Sequence, residues 1–194
     1  SCIARRRRPD TRRGRAAHAI ERVAHGALAV LVHEREREPG LEVPAEARLH
    51  GIAHEAFFAG LLHDVGKLFI LTVIDDIQHS DQMKVNPSVA LLMEAMDDLH
   101  TTHGYALMHH WNLPEKYSEV VRDHHAQALE TENYLSLTVR LANKTCNKMG
   151  LGLRHDAAMV LMATEEASEL HLSEVDIAKL EIMLEDSQVS ANKG

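Results

Sequence analysis

Apolar positions recur at spacings of three and four along nearly the whole chain, and no segment alternates with the period of two that a half-buried strand requires. From about Arg15 to Glu38, the residues Ala17, Ile20, Val23, Ala24, Ala27 and Leu31 mark one helical face, and Pro39-Gly40 closes it. Residues 41–52, with Pro44 inside, read as a connection. A second helix is predicted from about Glu55 into Leu62, and the apolar spacing continues from Val65 to Ile77, with Gly66 marking a bend or a close approach. Asn86-Pro87-Ser88 opens a helix over about Pro87 to Asp98, followed by another from about Leu99 to Trp111. Pro114 leads a helix to about His125, and Thr131 caps one over about Glu132 to Met149 that ends at Gly150 and Gly152. A helix over about Asp156 to Leu170 follows, and Ser173 with Asp176 forms a capping box for a last helix to roughly Glu185. The expected fold class is all-α.

Composition narrows the class without changing it. The chain has 194 residues, 45% hydrophobic and 26% charged, the ordinary balance of a soluble globular protein with one domain and an added arm. Two cysteines, Cys2 and Cys146, do not make a disulfide framework and fit a reducing compartment. No apolar run is expected to approach the roughly 20 residues of a membrane span, and no signal-peptide pattern opens the chain. A cytoplasmic location without a membrane partner is therefore expected.

Charge divides the sequence in two. Residues 1–50 carry 11 Arg, no Lys and 7 acidic residues, a net +4, whereas residues 51–194 carry a net −12. Arg5 to Arg8, Arg12, Arg13 and Arg15 invite a nucleic-acid arm, but no aromatic accompanies them for stacking on bases, and a solvated terminus is the simpler reading. Nucleic acid is not an expected partner.

The chemistry concentrates in histidine, of which there are 15. In Leu61-Leu62-His63-Asp64-Val65-Gly66-Lys67, adjacent imidazole and carboxylate give one nitrogen and two oxygen donors at one place on the chain. A carboxylate can bridge two divalent ions, and Lys67, one turn after His63, could meet a phosphate. Taken alone, His-Asp is a common dipeptide that often serves as a satisfied helix end. His100 shares a stripe with Gly104, Leu107 or Met108, and Trp111, and His124 and His125 follow the stripe Tyr117, Val120 and Val121. Three helices thus aim imidazoles inward, which favours a shared polar centre over isolated core histidines. His79, His103, His109, His110, His155 and His171 are expected on the surface. Trp111 is expected as a core anchor, Cys146 as an inert buried thiol, and Met149, Met159, Met162 and Met183 as core filling.

The segment Glu55 to Leu68, with His63-Asp64-Val65-Gly66-Lys67, resembles the signature helix of the HD superfamily. His100-Thr101-Thr102-His103-Gly104, Trp111-Asn112-Leu113-Pro114, His124-His125, Val139-Arg140-Leu141-Ala142-Asn143 and Gly150-Leu151-Gly152 resemble the HDOD branch in order and spacing, so the likeness spans about Glu55 to Glu185. It implies an HD-superfamily helical bundle over 51–190, with residues 1–50 a divergent or truncated segment that does not match the family. It also implies a non-catalytic signal-transduction module of bacterial type, with signalling proteins as partners. The alternative is a metal-dependent phosphohydrolase acting on a nucleotide or cyclic dinucleotide, in which Lys67 steadies developing charge. The implied metal set is His63, Asp64, His100, His124 and His125 around iron, manganese, zinc or nickel. Three departures weigh against activity. Asn143 stands where active members carry Asp. His33 is the best-placed first-helix histidine, but its surroundings do not match. The Gly-Tyr-Pro of the cyclic di-GMP hydrolases is replaced by Ala126-Gln127-Ala128.

Overall fold

The computed structural model describes residues 52–79, 87–128, 130–151 and 154–192, and every regular element among them is helical. Helices α1 (Ile52–Leu62) and α2 (Val65–His79) follow one another across the turn His63-Asp64. Helix α3 (Val89–His110) packs along α2, α4 (Glu115–Asp123) packs on α3, and α5 (Tyr134–Lys148) lies against α1 and α4. A 3-10 turn (Leu161–Ala163) and the short α6 (Glu165–Glu169) lead to α7 (Glu174–Asn192).

Helix α5 organises the interior because it is apolar on two sides. Leu135 and Val139 join Ala56 and Ala59 of α1 and Val120 of α4 in one buried cluster. Leu137, Leu141, Ala142 and Cys146 join Leu161, Ala167, Leu170, Leu172, Ile177, Leu180 and Leu184 in another. Each buried Leu or Val contributes about 1.5–3 kcal/mol relative to exposure, so the two clusters supply the main driving force for this packing. Two ends are fixed by local chemistry. The Ser88 hydroxyl accepts from the Leu91 amide at 3.2 Å at the start of α3. Asn112, at φ 53°, ends that helix, with the Leu113 amide reaching the Met108 carbonyl at 3.1 Å.

The structure alters several sequence expectations. The two helices expected over 87–98 and 99–111 are one, since nothing at Asp98-Leu99 interrupts the hydrogen-bond ladder. Asn133, not Thr131, caps α5, its side chain accepting from the Ser136 amide. The helix expected over 156–170 is mostly turns and the 3-10 segment, with only Glu165–Glu169 helical, because the Thr164 hydroxyl caps a new start at Glu165 by accepting from the Ala167 amide. The Ser173–Asp176 capping box is present, the Ser173 amide donating to Asp176 Oδ2 at 2.8 Å, but α7 continues past Glu185 to Asn192. Trp111 is 49% exposed rather than a core anchor, and Met162 and Met183 are also exposed, while Cys146 is buried as expected. Residues His54–Gln78 are long and apolar enough by composition to span a bilayer, against the expectation, although the turn at His63-Asp64 divides the segment and places polar groups at its middle. The helix expected over 15–38, Arg5 to Arg15, His33 and the connection expected over 41–52 lie outside the described residues, except for Ile52, which already opens α1.

Candidate metal centre

The centre forms where α2 crosses α3 with almost no side-chain volume between them. A Cβ added to Gly66 would lie 1.9 Å from the His100 carbonyl oxygen and 2.8 Å from the Gly104 nitrogen. One added to Gly104 would lie 2.6 Å from Val121 Cγ1 of α4. Two glycines therefore let three helices close up, and that approach brings the turn before α2 beside His100 and the end of α4.

Four potential ligand atoms meet there. Asp64, His100, His124 and His125 each offer one, all within 4.8 Å of one another. Asp64 Oδ1 lies 3.5 Å from both His100 Nε2 and His124 Nε2. Those distances exceed a good hydrogen bond, and Oδ1 is buried without a hydrogen-bond partner. The other carboxylate oxygen, Oδ2, accepts from Lys67 Nζ at 2.6 Å. His63 stands at the edge, its Nε2 3.6 Å from Asp64 Oδ2 and its ring T-shaped against His124 with centroids 5.0 Å apart.

Backbone carbonyls fix the tautomers. His63 Nδ1 donates to the Gly60 carbonyl at 2.7 Å, His100 Nδ1 to that of Met96 at 2.6 Å, and His124 Nδ1 to that of Val121 at 2.9 Å. A carbonyl only accepts, so in the neutral rings the proton sits on Nδ1 and a lone pair remains on Nε2. His100 Nε2 and His124 Nε2 are 3.2 Å apart. Two lone pairs at that distance repel unless a proton or a metal cation lies between them. Outer-sphere donation from Nδ1 to a carbonyl is the usual support of a metal-binding imidazole.

Electrostatics favour a cation. Burial alone would raise the Asp64 pKa, but the neighbouring His63, His124 and Lys67 hold it well below the usual carboxylate range. Burial lowers the His100 pKa, with Asp64 opposing that shift. Loss of water on the side of the ring that faces the cluster, then the adjacent His124 and His100, lower the His125 pKa, while its other side stays open to solvent. An ionised Asp64 carboxylate and the neutral forms that the lowered pKa values favour at His100 and His125 are protonation states a transition metal needs. Three nitrogens and one oxygen suit zinc, iron or nickel better than calcium or magnesium.

The expected residues divide into three groups. Asp64, His100, His124 and His125 converge, while His63 and Lys67 flank them. Asn143 is half-buried on α5. Among the expected surface histidines, His109, His110, His155 and His171 are exposed, whereas His103 is half-buried against Phe69 with ring centroids 5.6 Å apart. One charged group escaped the sequence reading. Glu166 is fully buried and accepts from Arg140 Nε at 3.0 Å and from Lys144 Nζ. Arg140 Nη1 also donates to the carbonyls of Asp123 and Ala126, at 3.0 and 2.8 Å, tying α5 to the segment that carries His124 and His125. The signal was Arg140, a charge set between the apolar Val139 and Leu141 in the middle of α5.

Comparison with known proteins agrees with this geometry. No curated protein matches the chain. A crystal structure of an HDOD domain protein of unknown function from Geobacter sulfurreducens superposes with a TM-score of 0.55 at 17% identity, covering 90% of this chain and 62% of that one. That likeness establishes the all-helical fold, and this chain spans less than two thirds of the length of its neighbour. The family model for the HDOD domain matches residues 42–127, which hold His63, Asp64, Lys67, His100, His124 and His125 and stop short of Asn143. Residues 42–127 thus match the HDOD domain family, and the His/Asp cluster lies within that match.

Proposed function

We propose that the chain is a non-catalytic regulatory module whose centre takes a single divalent transition-metal ion on Asp64, His100, His124 and His125. The observation that carries this reading is the Lys67 ammonium 2.6 Å from Asp64 Oδ2. In two-metal phosphohydrolysis a carboxylate bridges both ions through its two oxygens. Here one oxygen already faces a fixed cation, and among the described residues Asp64 is the sole carboxylate of the cluster. Asn143, a neutral amide, would add no charge to offset a second ion. When bound, the metal would supply positive charge and link the α1–α2 turn to α3 and to the end of α4. Lys67 neutralises Oδ2, Met96 and Val121 orient the His100 and His124 rings, and His125 forms the exposed side of the set. Signalling would then run through helix surfaces and protein partners, with a nucleotide or cyclic dinucleotide as a candidate ligand rather than a substrate.

The test is a hydrolysis screen of cyclic dinucleotides and nucleoside phosphates with manganese- or iron-loaded protein, beside Asp64→Ala. The expected result is no turnover above that variant. Turnover that disappears in Asp64→Ala would replace this reading with the phosphohydrolase one.

A further inference from the structure

Helix α7 has two apolar faces. Ile177, Leu180 and Leu184 are buried in the cluster with Leu137, Leu141 and Leu161. On the opposite side Val175, Ile182 and Val189 recur every seven residues and are 63%, 58% and 51% exposed. Positions seven apart on an α-helix differ by only about 20° around the axis, so these three side chains form one stripe about 21 Å long. An amphipathic helix needs only the first face, and the second calls for a partner.

The pattern around the stripe identifies that partner, because it is symmetric about Ile182. Valine stands seven residues before and seven after. On one flank Lys179 lies three before and Asp186 four after, while on the other Ala178 lies four before and Glu185 three after. Ala178, Lys179, Glu185 and Asp186 are all exposed.

We propose that two copies of this chain pair antiparallel along α7, with the two-fold axis at Ile182. Ile182 then meets the partner's Ile182, and Val175 meets the partner's Val189. Like flanks face each other in an antiparallel pair, so Lys179 meets the partner's Asp186 and Glu185 meets the partner's Ala178, with no like charges opposed. A parallel pair would set Glu185 against the partner's Asp186, twice. The self-complementary pattern is that of an isologous two-fold interface. The stripe is short beside an ordinary interface, so the dimer is expected to be weak, with a midpoint at about 100 µM or below.

Sedimentation equilibrium of the full chain over a concentration series tests the pairing. A reversible monomer–dimer equilibrium is expected, and Ile182→Glu should abolish it while leaving the circular dichroism unchanged. Cysteine cross-linking in a Cys2→Ser background tests the direction. Ile182→Cys should cross-link with itself, Val175→Cys should not, and Val175→Cys combined with Val189→Cys should. A monomer throughout overturns the proposal and gives the stripe to another segment or another protein. A dimer insensitive to Ile182→Glu, or self-linking of Val175→Cys, overturns it equally.

Discussion

Asp64 shows how strongly single atoms define this centre, because its two oxygens have different tasks. Oδ2 is held by Lys67, whereas Oδ1 faces two imidazole nitrogens and no donor. Glu166 is the opposite case, a buried carboxylate already satisfied by Arg140 and Lys144. Burial would raise its pKa, but hydrogen bonds from Lys144, the backbone and Arg140 hold it below the usual carboxylate range. The unfolded chain therefore binds this proton more readily than the folded one. The stability it contributes is present above the ordinary glutamate pKa and is lost as pH falls through the lowered folded value. Glu166→Gln should destabilise the protein at neutral pH by about 3 kcal/mol, since two cations lose their counter-charge. Urea unfolding at several pH values between neutral and acid should show that gap closing as the pH falls. A gap independent of pH would mean that the Glu166 charge is not the source of the stabilisation.

At the scale of elements, the α2–α3 contact positions the chemistry. Gly66 meets the His100 backbone directly, so Gly66→Ala must push α2 away from α3 or distort the turn at Asp64. The expected cost is about 3 kcal/mol or more by thermal or urea unfolding, as for overpacking against an unyielding backbone. Metal affinity should fall with it, and a variant of unchanged stability would contradict the close crossing. Legibility in the sequence follows the same division. Helical periodicity located α1, α2, α4 and α5, and proline and the Ser173–Asp176 pair located helix starts, because these signals are local. The break expected at Asp98-Leu99 and the helix expected over 156–170 failed where composition is ambiguous and tertiary contacts decide. His63, Asp64, His100 and His124 were legible because each follows an inward stripe or a motif. Glu166 was not, since Glu165-Glu166 looks like a solvated pair until Arg140 and Lys144 are placed above it. Lys67 was read as a phosphate contact, and its ion pair with Asp64 depends on a rotamer that spacing does not specify.

At the scale of the whole molecule, α1 to α5 form a helical frame around one cation-seeking centre, while α7 carries an apolar outer stripe away from the core face. Under the proposed function, filling the centre would alter the packing of α3 and α4, and a signalling partner would read that change. The central claim is that the centre is mononuclear, with the Lys67 ammonium standing where a second metal would bridge. Elemental analysis after loading the full chain with excess manganese or zinc and exhaustive buffer exchange tests it most directly. About one ion per chain is expected in the wild type and almost none in Asp64→Asn. Two ions per chain, or a content that Asp64→Asn does not change, would contradict it.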